Sequence, residues 1–216
     1  NKMENIILFD MDGTLIDSTN AIYQSFSKVF KDNDMPLLNK DEVARFIGHT
    51  LDDMFRFFGA KEEDIEKYCN EYKSHYIKIC NKHTNLLPYV LDSIKLANTF
   101  AILGIVTTKS SKSSRELLAN FGIDKYFHTI VGREDVSHTK PHKEPIIKAL
   151  DTINLKISND RIYMIGDTIL DLNAAKNAEV VGIGVLSGYG EKQELANLSP
   201  YIFQNTLQAV KFIQNL

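Results

Sequence analysis

Short apolar runs recur along the chain, each continuous rather than alternating and rich in β-branched residues. Such runs are typical of strands buried on both faces of a parallel sheet. Amphipathic helical patterns lie between most of them, and strand–helix alternation predicts a doubly wound α/β fold. The predicted strands are residues 6–9, 102–106, 129–131, 162–165, 180–185 and 201–203, and the predicted helices are residues 88–98, 111–121, 145–152, 170–177 and 206–213.

The alternation is interrupted once, after the first strand. Between about residues 17 and 87 there is no convincing strand, and helical patterns occur instead, separated in part by Asp34-Met35-Pro36 and by Gly48. These patterns cover residues 18–31, 40–47, 51–58 and 62–80. We therefore predict a helical cap of residues 17–87 inserted into an α/β core of residues 1–16 and 88–216.

Composition places the chain among ordinary globular proteins. Its 216 residues suit one domain plus a modest insertion. A net charge of -3 argues against a nucleic-acid partner, which would need a basic surface. No apolar run reaches the ~18 residues that a membrane helix needs. We expect a cytoplasmic protein, a monomer or homodimer, with no membrane or nucleic-acid partner and with Cys69 and Cys80 as free thiols.

Polar residues follow several of the predicted strands. Ligands of open α/β sheets bind at the carboxyl ends of the strands, so these residues are expected to meet at one edge. A glycine there permits an unusual backbone turn and exposes peptide N–H groups to an anion. The residues concerned are Asp10, Asp12 and Gly13 after the first strand, Thr107 and Thr108 after the second, Asp167 and Asp171 after the fourth, and Lys140 before the helix at residues 145–152.

Several carboxylates at one sheet edge would repel one another unless a cation neutralised them. Oxygen-only ligands suit magnesium better than zinc, which prefers nitrogen and sulfur. Taken alone, Asp167 and Asp171 are explained as well by helix capping and by the helix dipole. Four strand-linked elements that bring the same chemistry to one edge favour a Mg²⁺ site.

The order of these motifs resembles the phosphatases of the haloacid dehalogenase superfamily. The resemblance is carried by residues 10–15 (Asp-Met-Asp-Gly-Thr-Leu), Thr107, Lys140-Pro141 and Gly166-Asp167 with Asp171, and it covers almost the whole chain. It is closest to the phosphoglycolate-phosphatase-like branch, through Asp17-Ser18 and residues 140–145. It implies a Rossmann-like core with an inserted cap.

The resemblance also implies roles for the motif residues. Asp10 would attack phosphorus and become an aspartyl-phosphate, and Asp12 would protonate the leaving oxygen and then activate water. Thr107, Thr108, Lys140 and the backbone N–H of Gly13 would bind phosphoryl oxygens. Mg²⁺ would be held by Asp10, the main-chain carbonyl of Asp12, Asp167 and Asp171.

The cap is expected to supply substrate contacts from the break near residues 46–51. The candidates are Arg45, His49 and Thr50, of which Arg45 suits a carboxylate or a second phosphate. Each has a plainer explanation: Arg45 as a surface arginine, Thr50 as a helix N-cap, and His49 as a residue without a special role.

The substrate class that the resemblance implies is a small phosphorylated metabolite, with phosphoglycolate as the leading choice. Pyrophosphate and nucleoside monophosphates are rivals within the same family. A β-phosphoglucomutase-like phosphosugar mutase is disfavoured, because those relatives carry a histidine in the first helix where this chain has Ile22. A non-catalytic, metabolite-binding regulator is disfavoured because every catalytic position is filled.

Overall fold

The computed structural model describes residues 4–216 of the chain. Its strands are β1 (Ile6–Phe9), β2 (Ile16–Asp17), β3 (Asn85–Leu86), β4 (Ile102–Val106), β5 (Phe127–Val131), β6 (Ile162–Gly166), β7 (Val181–Val185) and β8 (Ile202–Phe203). Its α-helices are α1 (Thr19–Asp32), α2 (Lys40–Arg45), α3 (Leu51–Phe57), α4 (Ile65–Ile79), α5 (Val90–Asn98), α6 (Ser111–Asn120), α7 (Glu144–Ile153), α8 (Ile169–Asn177), α9 (Lys192–Ala196) and α10 (Thr206–Gln214).

Six parallel strands form the main sheet, in the order β5-β4-β1-β6-β7-β8. The central strand β1 pairs with β4 on one side and with β6 on the other, so that Ile6 lies opposite both Ile102 and Ile162. The chain leaves β1 toward β4 and leaves β6 toward β7, so the crossover connections diverge between β1 and β6. Ligands of open α/β sheets bind at such a switch point, beyond the carboxyl ends of the strands.

The sheet is covered on both faces, and β1 is fully buried because its alternating side chains enter two different cores. Ile7 and Phe9 belong to one apolar cluster, whereas Ile6 and Leu8 belong to the other. The first cluster includes Ile94 of α5, Leu117 of α6 and Val210 of α10, and the second includes Ile146 of α7 and Ala174 of α8. The prediction of a doubly wound, Rossmann-like α/β core is confirmed.

Helices α1–α4 pack around aromatic side chains. On α1, Ile22, Phe26 and Phe30 recur every four residues, so they share one buried face of the helix. The Phe26 ring lies 4.7 Å from that of Phe55 and 4.8 Å from that of Tyr72, measured between ring centroids. Contacts of this kind add about 0.5–1.5 kcal/mol per pair to the gain from burial.

The segment between the first two sheet strands differs from its prediction in one respect. It was expected to hold no strand, but β2 pairs antiparallel with β3, Ile16 lying opposite Leu86 and Asp17 opposite Asn85. The two chain segments that join the helices α1–α4 to the sheet are thus hydrogen-bonded side by side. The division into a cap of residues 17–87 and a core stays a prediction.

None of the helices within residues 4–216 is both long enough and apolar enough to span a lipid bilayer.

Candidate active site

Three buried carboxylates meet where β1 and β6 end. Asp10 follows β1 directly, Asp167 follows β6, and Asp171 lies in the first turn of α8. Each of them offers an oxygen that lies within 4.8 Å of the oxygens of the other two. The parallel pairing of β1 with β6 explains this meeting, because it aligns the ends of the two strands.

Lys140 is the buried cation of this cluster. Its ammonium nitrogen lies 3.1 Å from Asp10 Oδ1 and 2.5 Å from Asp171 Oδ1, and it donates to the carbonyl of Val106 at 2.9 Å. Burial by itself lowers the pKa of Lys140, but the two carboxylates raise it and the net shift is upward. The ammonium therefore stays charged at neutral pH and restrains Asp10.

One ammonium does not balance three carboxylates. Burial, followed by repulsion from Asp171, raises the pKa of Asp10 to about 7, although Lys140 opposes the shift. Burial, followed by Asp171 and Asp10, raises the pKa of Asp167 well above its usual range. Strong upward shifts at clustered carboxylates are characteristic of functional sites, and here they indicate room for further positive charge.

Asp167 is oriented by groups that the sequence analysis did not single out. Thr14 donates its hydroxyl to Oδ1 at 3.0 Å, and the backbone N–H of Tyr189 donates to Oδ2 at 2.9 Å. The loop of Ser187, Gly188, Tyr189 and Gly190 follows β7 and lies against Asp167. A Cβ at Gly188 would come within 2.1 Å of Asp167 Oδ2. Gly188 and Gly190, which follow a predicted strand, were the feature of the sequence that could have indicated this loop.

Gly13 occupies the turn between the two halves of the first motif, with a φ of +85°. A Cβ here would lie 2.3 Å from Asp167 Oδ2, so the backbone passes this carboxylate at a distance that only glycine allows. Its N–H donates to the carbonyl of Ile16 at 2.8 Å. The expected use of this N–H for phosphate is therefore not supported, because the tight turn of residues 13–16 already engages the donor.

Gly13→Ala should destabilise the protein and impair metal binding. Gly59→Ala should destabilise it less and affect metal binding less. Both glycines have positive φ, +85° and +93°, so an alanine is strained at either position by about 1–2 kcal/mol. Only at Gly13 does the added methyl meet Asp167, since nothing lies within 4 Å of a Cβ at Gly59. Thermal unfolding and Mg²⁺ titration of both variants measure the difference, and equal effects at the two positions would contradict the steric explanation.

Asp12 points toward a cleft beside the cluster. Its Oδ1 accepts from Ser18 Oγ at 2.5 Å and lies 3.4 Å from the ammonium of Lys109. Lys109 also lies over the ring of Tyr76, 4.3 Å from the centroid. A hydroxyl and a cation thus hold one oxygen of Asp12 in place, and Lys109, from the loop after β4, connects the site to helix α4.

The two threonines after β4 are placed differently. Thr107 is buried at the strand end, where its Oγ1 accepts from the backbone N–H of Lys109 at 3.0 Å. Thr108 donates its hydroxyl to the carbonyl of Gly48 at 2.7 Å, across to the segment between α2 and α3. The structure therefore places Thr107 at the strand end, as predicted, and the Thr108 hydroxyl contacts the segment between α2 and α3.

The cleft encloses about 360 Å³ between the loop after β4 and helices α1, α3 and α4. Asp12, Thr108 and His49 all line it. Arg45 and Thr50 do not: Arg45 is exposed at the end of α2, and Thr50 is the N-cap of α3, accepting from the N–H of Asp53. Of the three expected cap contacts, the structure brings only His49 to the cleft.

The donor set fits a hard divalent cation. Asp10, Asp167 and Asp171 offer only oxygen atoms, which Mg²⁺ and Ca²⁺ prefer. The raised pKa values of Asp10 and Asp167 are the expected property of carboxylates whose counter-charge is incomplete. The oxygen ligands of these three residues therefore fit the predicted Mg²⁺.

Fold and site together define an α/β enzyme with an acidic cluster at the switch point of its sheet. A profile of the haloacid dehalogenase-like hydrolase family matches residues 7–185, and the chain belongs to that family. The predictions of the family and of a phosphatase-type hydrolase are confirmed.

Known relatives match nearly the full length of the chain. It is 31% identical over 212 residues to "Pyrophosphatase PpaX" of Oceanobacillus iheyensis, covering 96% of this chain and 95% of that protein. It is 28% identical over 201 residues to "Phosphoglycolate phosphatase" of Photorhabdus laumondii, covering 90% and 85%. A haloacid dehalogenase-like hydrolase structure from Bacteroides fragilis has a TM-score of 0.89 at 29% identity, covering 95% of this chain and 99% of that one.

Proposed function

We propose that this chain is a Mg²⁺-dependent phosphatase that hydrolyses small phosphomonoesters through an aspartyl-phosphate on Asp10. The observation that carries the proposal is the arrangement around Asp10. This carboxylate contacts Lys140 and belongs to the oxygen cluster, and Asp12, two residues away, lines the adjoining cleft. A nucleophile, a restraining cation and a separate acid–base group are the parts that covalent phosphoryl transfer requires.

Two displacements at phosphorus describe the reaction. An oxygen of Asp10 attacks the phosphorus, the bond from phosphorus to the leaving oxygen breaks, and Asp12 gives that oxygen a proton. Asp12 then takes a proton from water as the water oxygen attacks the same phosphorus, and Asp10 and inorganic phosphate separate. Ser18 and Lys109 hold Asp12 in position, and Lys140 does the same for Asp10.

Asp10, Asp167 and Asp171 would hold Mg²⁺, together with the main-chain carbonyl of Asp12. When bound, the ion supplies positive charge that offsets the three carboxylates and the phosphoryl oxygens. Thr14 and the N–H of Tyr189 fix the orientation of Asp167 for this purpose.

Mg²⁺ should stabilise the fold more strongly at pH 8 than at pH 5. With its pKa at about 7 instead of 3.8, Asp10 keeps a proton in the folded state that the unfolded chain releases. The stability of the metal-free protein therefore falls as the pH rises from 3.8 to about 7, and it stays low above that pH. At pH 5 the ion must first displace that proton, whereas at pH 8 it finds the carboxylate ionised.

Thermal unfolding with and without the ion measures this effect. At an Mg²⁺ concentration of about 100 times Kd, the ion should raise the free energy of unfolding at pH 8 by about 2.7 kcal/mol, which corresponds to about 5–10 °C in Tm. The gain should shrink at pH 5 and largely disappear in Asp167→Asn at either pH. Equal gains at both pH values would contradict the assignment of the site.

Phosphoglycolate is the substrate that the sequence favours first, with pyrophosphate and nucleoside monophosphates as rivals. The names of the relatives support the first two. The mutase alternative lacks support, because a mutase is expected to carry a histidine where this chain has Ile22. The Ile22 side chain is buried, apolar and part of the cleft lining. Cytoplasmic location and a monomeric or homodimeric state stay predictions.

Phosphate release from a substrate panel tests the proposal. The panel contains phosphoglycolate, pyrophosphate, sugar phosphates, nucleoside monophosphates and an aryl phosphate, each with Mg²⁺ or with a chelator. The proposal expects release from at least one phosphomonoester that is abolished by chelation and restored by Mg²⁺. No metal-dependent release from any compound would refute it.

A further inference from the structure

Lys109 is a second lysine whose ammonium lies beside a carboxylate of the first motif. Its side chain is only 8% exposed, and the ammonium nitrogen lies 3.4 Å from Asp12 Oδ1. Lys140 contacts Asp10 and Asp171 instead. The two carboxylates that have separate roles in the proposed reaction are therefore held by separate cations.

Both the backbone and the side chain of Lys109 are fixed by neighbouring elements. Its backbone N–H donates to Thr107 Oγ1 at 3.0 Å, and its carbonyl accepts from the N–H of Arg133, which follows β5, at 2.9 Å. The ammonium lies over the ring of Tyr76 of α4, 4.3 Å from the centroid, an attraction that desolvation strengthens. Because these contacts leave the ammonium little freedom, its position next to Asp12 is set before a substrate arrives.

The two oxygens of the Asp12 carboxyl group have different surroundings. Oδ1 accepts from Ser18 Oγ at 2.5 Å and contacts the ammonium of Lys109. Within residues 4–216, no hydrogen-bond donor contacts Oδ2, and Asp12 lines the cleft. A carboxylic acid carries its proton on one oxygen, and an oxygen that already accepts from a hydroxyl and an ammonium is the poorer place for it. The proton of neutral Asp12 therefore belongs on Oδ2.

We propose that Lys109 is a positioning residue that, with Ser18, holds Oδ1 so that Asp12 presents a proton on Oδ2 to the leaving oxygen. This inference rests on the proposed function and deepens it. An oxygen of Asp10 forms a bond to phosphorus, the bond from phosphorus to the leaving oxygen breaks, and the electron pair of that bond takes the proton from Oδ2. The products are an alcohol, the aspartyl-phosphate and an ionised Asp12, whose new charge the ammonium of Lys109 stabilises.

Two phosphomonoesters separate this role from a direct contact between Lys109 and the phosphoryl group. Ethyl phosphate has a leaving oxygen that needs a proton, whereas para-nitrophenyl phosphate releases a phenolate that needs none. A residue that acts through the proton of Asp12 affects release from the first ester and not from the second. A lysine that bound the phosphoryl oxygens directly would affect both esters equally.

Lys109→Met removes the ammonium and keeps much of the side-chain volume beside Tyr76. With Mg²⁺ and with protein in excess over radiolabelled ester, rapid quenching measures the rate of leaving-group release in the first turnover. Lys109→Met should slow release from ethyl phosphate about 10- to 100-fold, the effect of one contact with a charged group, and change release from para-nitrophenyl phosphate at most about twofold. A retained rate with the aryl ester also shows that the variant is folded.

Lys112→Met is the matched control for loss of a positive charge. Lys112 lines the same cleft and is exposed, but the ammonium beside Asp12 belongs to Lys109. The ratio of the ethyl to the aryl rate should therefore match that of the unmodified chain. Ser18→Ala removes the other donor to Oδ1 and should lower this ratio about two- to tenfold. This smaller change decides the matter if Lys109→Met does not fold.

The two rates together distinguish the possible outcomes. Equal losses with both esters in folded Lys109→Met, or an unchanged ratio in Ser18→Ala, would overturn the inference and leave the proposed function intact. Release from the aryl ester alone by the unmodified chain would also overturn it, since Asp12 would then donate no proton. No Mg²⁺-dependent release from either ester by the unmodified chain would refute both the inference and the proposed function.

Discussion

Replacing Asp10 with asparagine should lower kcat by about 10⁴-fold or more, the loss expected when a covalent nucleophile is removed. An amide cannot form an acyl-phosphate by attack on phosphorus, although its size and shape match those of the carboxylate. The change also removes a buried group that Asp171 repels, so Tm should fall little or not at all. Phosphate release and thermal unfolding of Asp10→Asn measure the two effects separately.

Asp151→Asn provides the matched control, because Asp151 is exposed on α7, away from the cluster. Its turnover should equal that of the unmodified chain. An Asp10→Asn protein that is folded and keeps more than a tenth of the turnover would show that another group is the nucleophile.

Lys140→Met should cost both stability and turnover. The substitution keeps much of the side-chain volume but removes the buried cation that contacts Asp10, Asp171 and the Val106 carbonyl. Breaking a buried pair by removing one partner costs about 3–5 kcal/mol, which corresponds to roughly 6–20 °C in Tm for a chain of this size. Turnover should fall at least about 100-fold, because Asp10 loses its restraint and the phosphoryl oxygens lose a charge.

The loss of stability in Lys140→Met should be larger at pH 8 than at pH 5. At pH 5 Asp10, whose pKa burial raises to about 7, can stay neutral and needs no counter-charge. Lys143→Met is the control, since Lys143 is exposed three residues away. Similar unfolding curves for the two variants would contradict the role of Lys140 as the cation of the cluster.

The sequence predicted which polar residues meet at one edge of the sheet, because the ends of adjacent parallel strands lie side by side. Asp10, Thr107 and Asp167 each follow a strand whose apolar run is easy to recognise, and β1, β4 and β6 are adjacent in the sheet. Asp171 follows one turn later on α8, so its side was predictable from helical spacing. The positions of the strands and their order in the sheet are therefore nearly sufficient to predict that these residues lie together.

Features that depend on backbone direction or on contacts between distant segments were not predictable. Strands β2 and β3 are two residues long and show no periodicity. The Tyr189 loop orients Asp167 through a backbone N–H, which no side-chain motif encodes. Arg45 lies at the end of a six-residue helix, and its outward position depends on how α2 packs on α1.

The contact between Lys109 and Asp12 has a similar origin. It requires Tyr76 of α4 to lie beside the loop after β4, and the spacing of residues along the chain does not determine that placement. The composition of the cleft lining depends on the same packing, so the spacing of residues along the chain does not predict which side chains face the cleft.

Direct detection of phosphate on Asp10 tests the central claim. The Asp12→Asn variant can still accept a phosphoryl group from an aryl phosphate, whose leaving oxygen needs no proton, but it lacks the base that activates water. After incubation with Mg²⁺ and acid quenching, mass spectrometry of the intact chain and its peptides should find one added phosphoryl group on the peptide that contains Asp10. Phosphate on a different residue, or turnover by the unmodified chain with no phosphorylated Asp10 in either protein, would contradict the account.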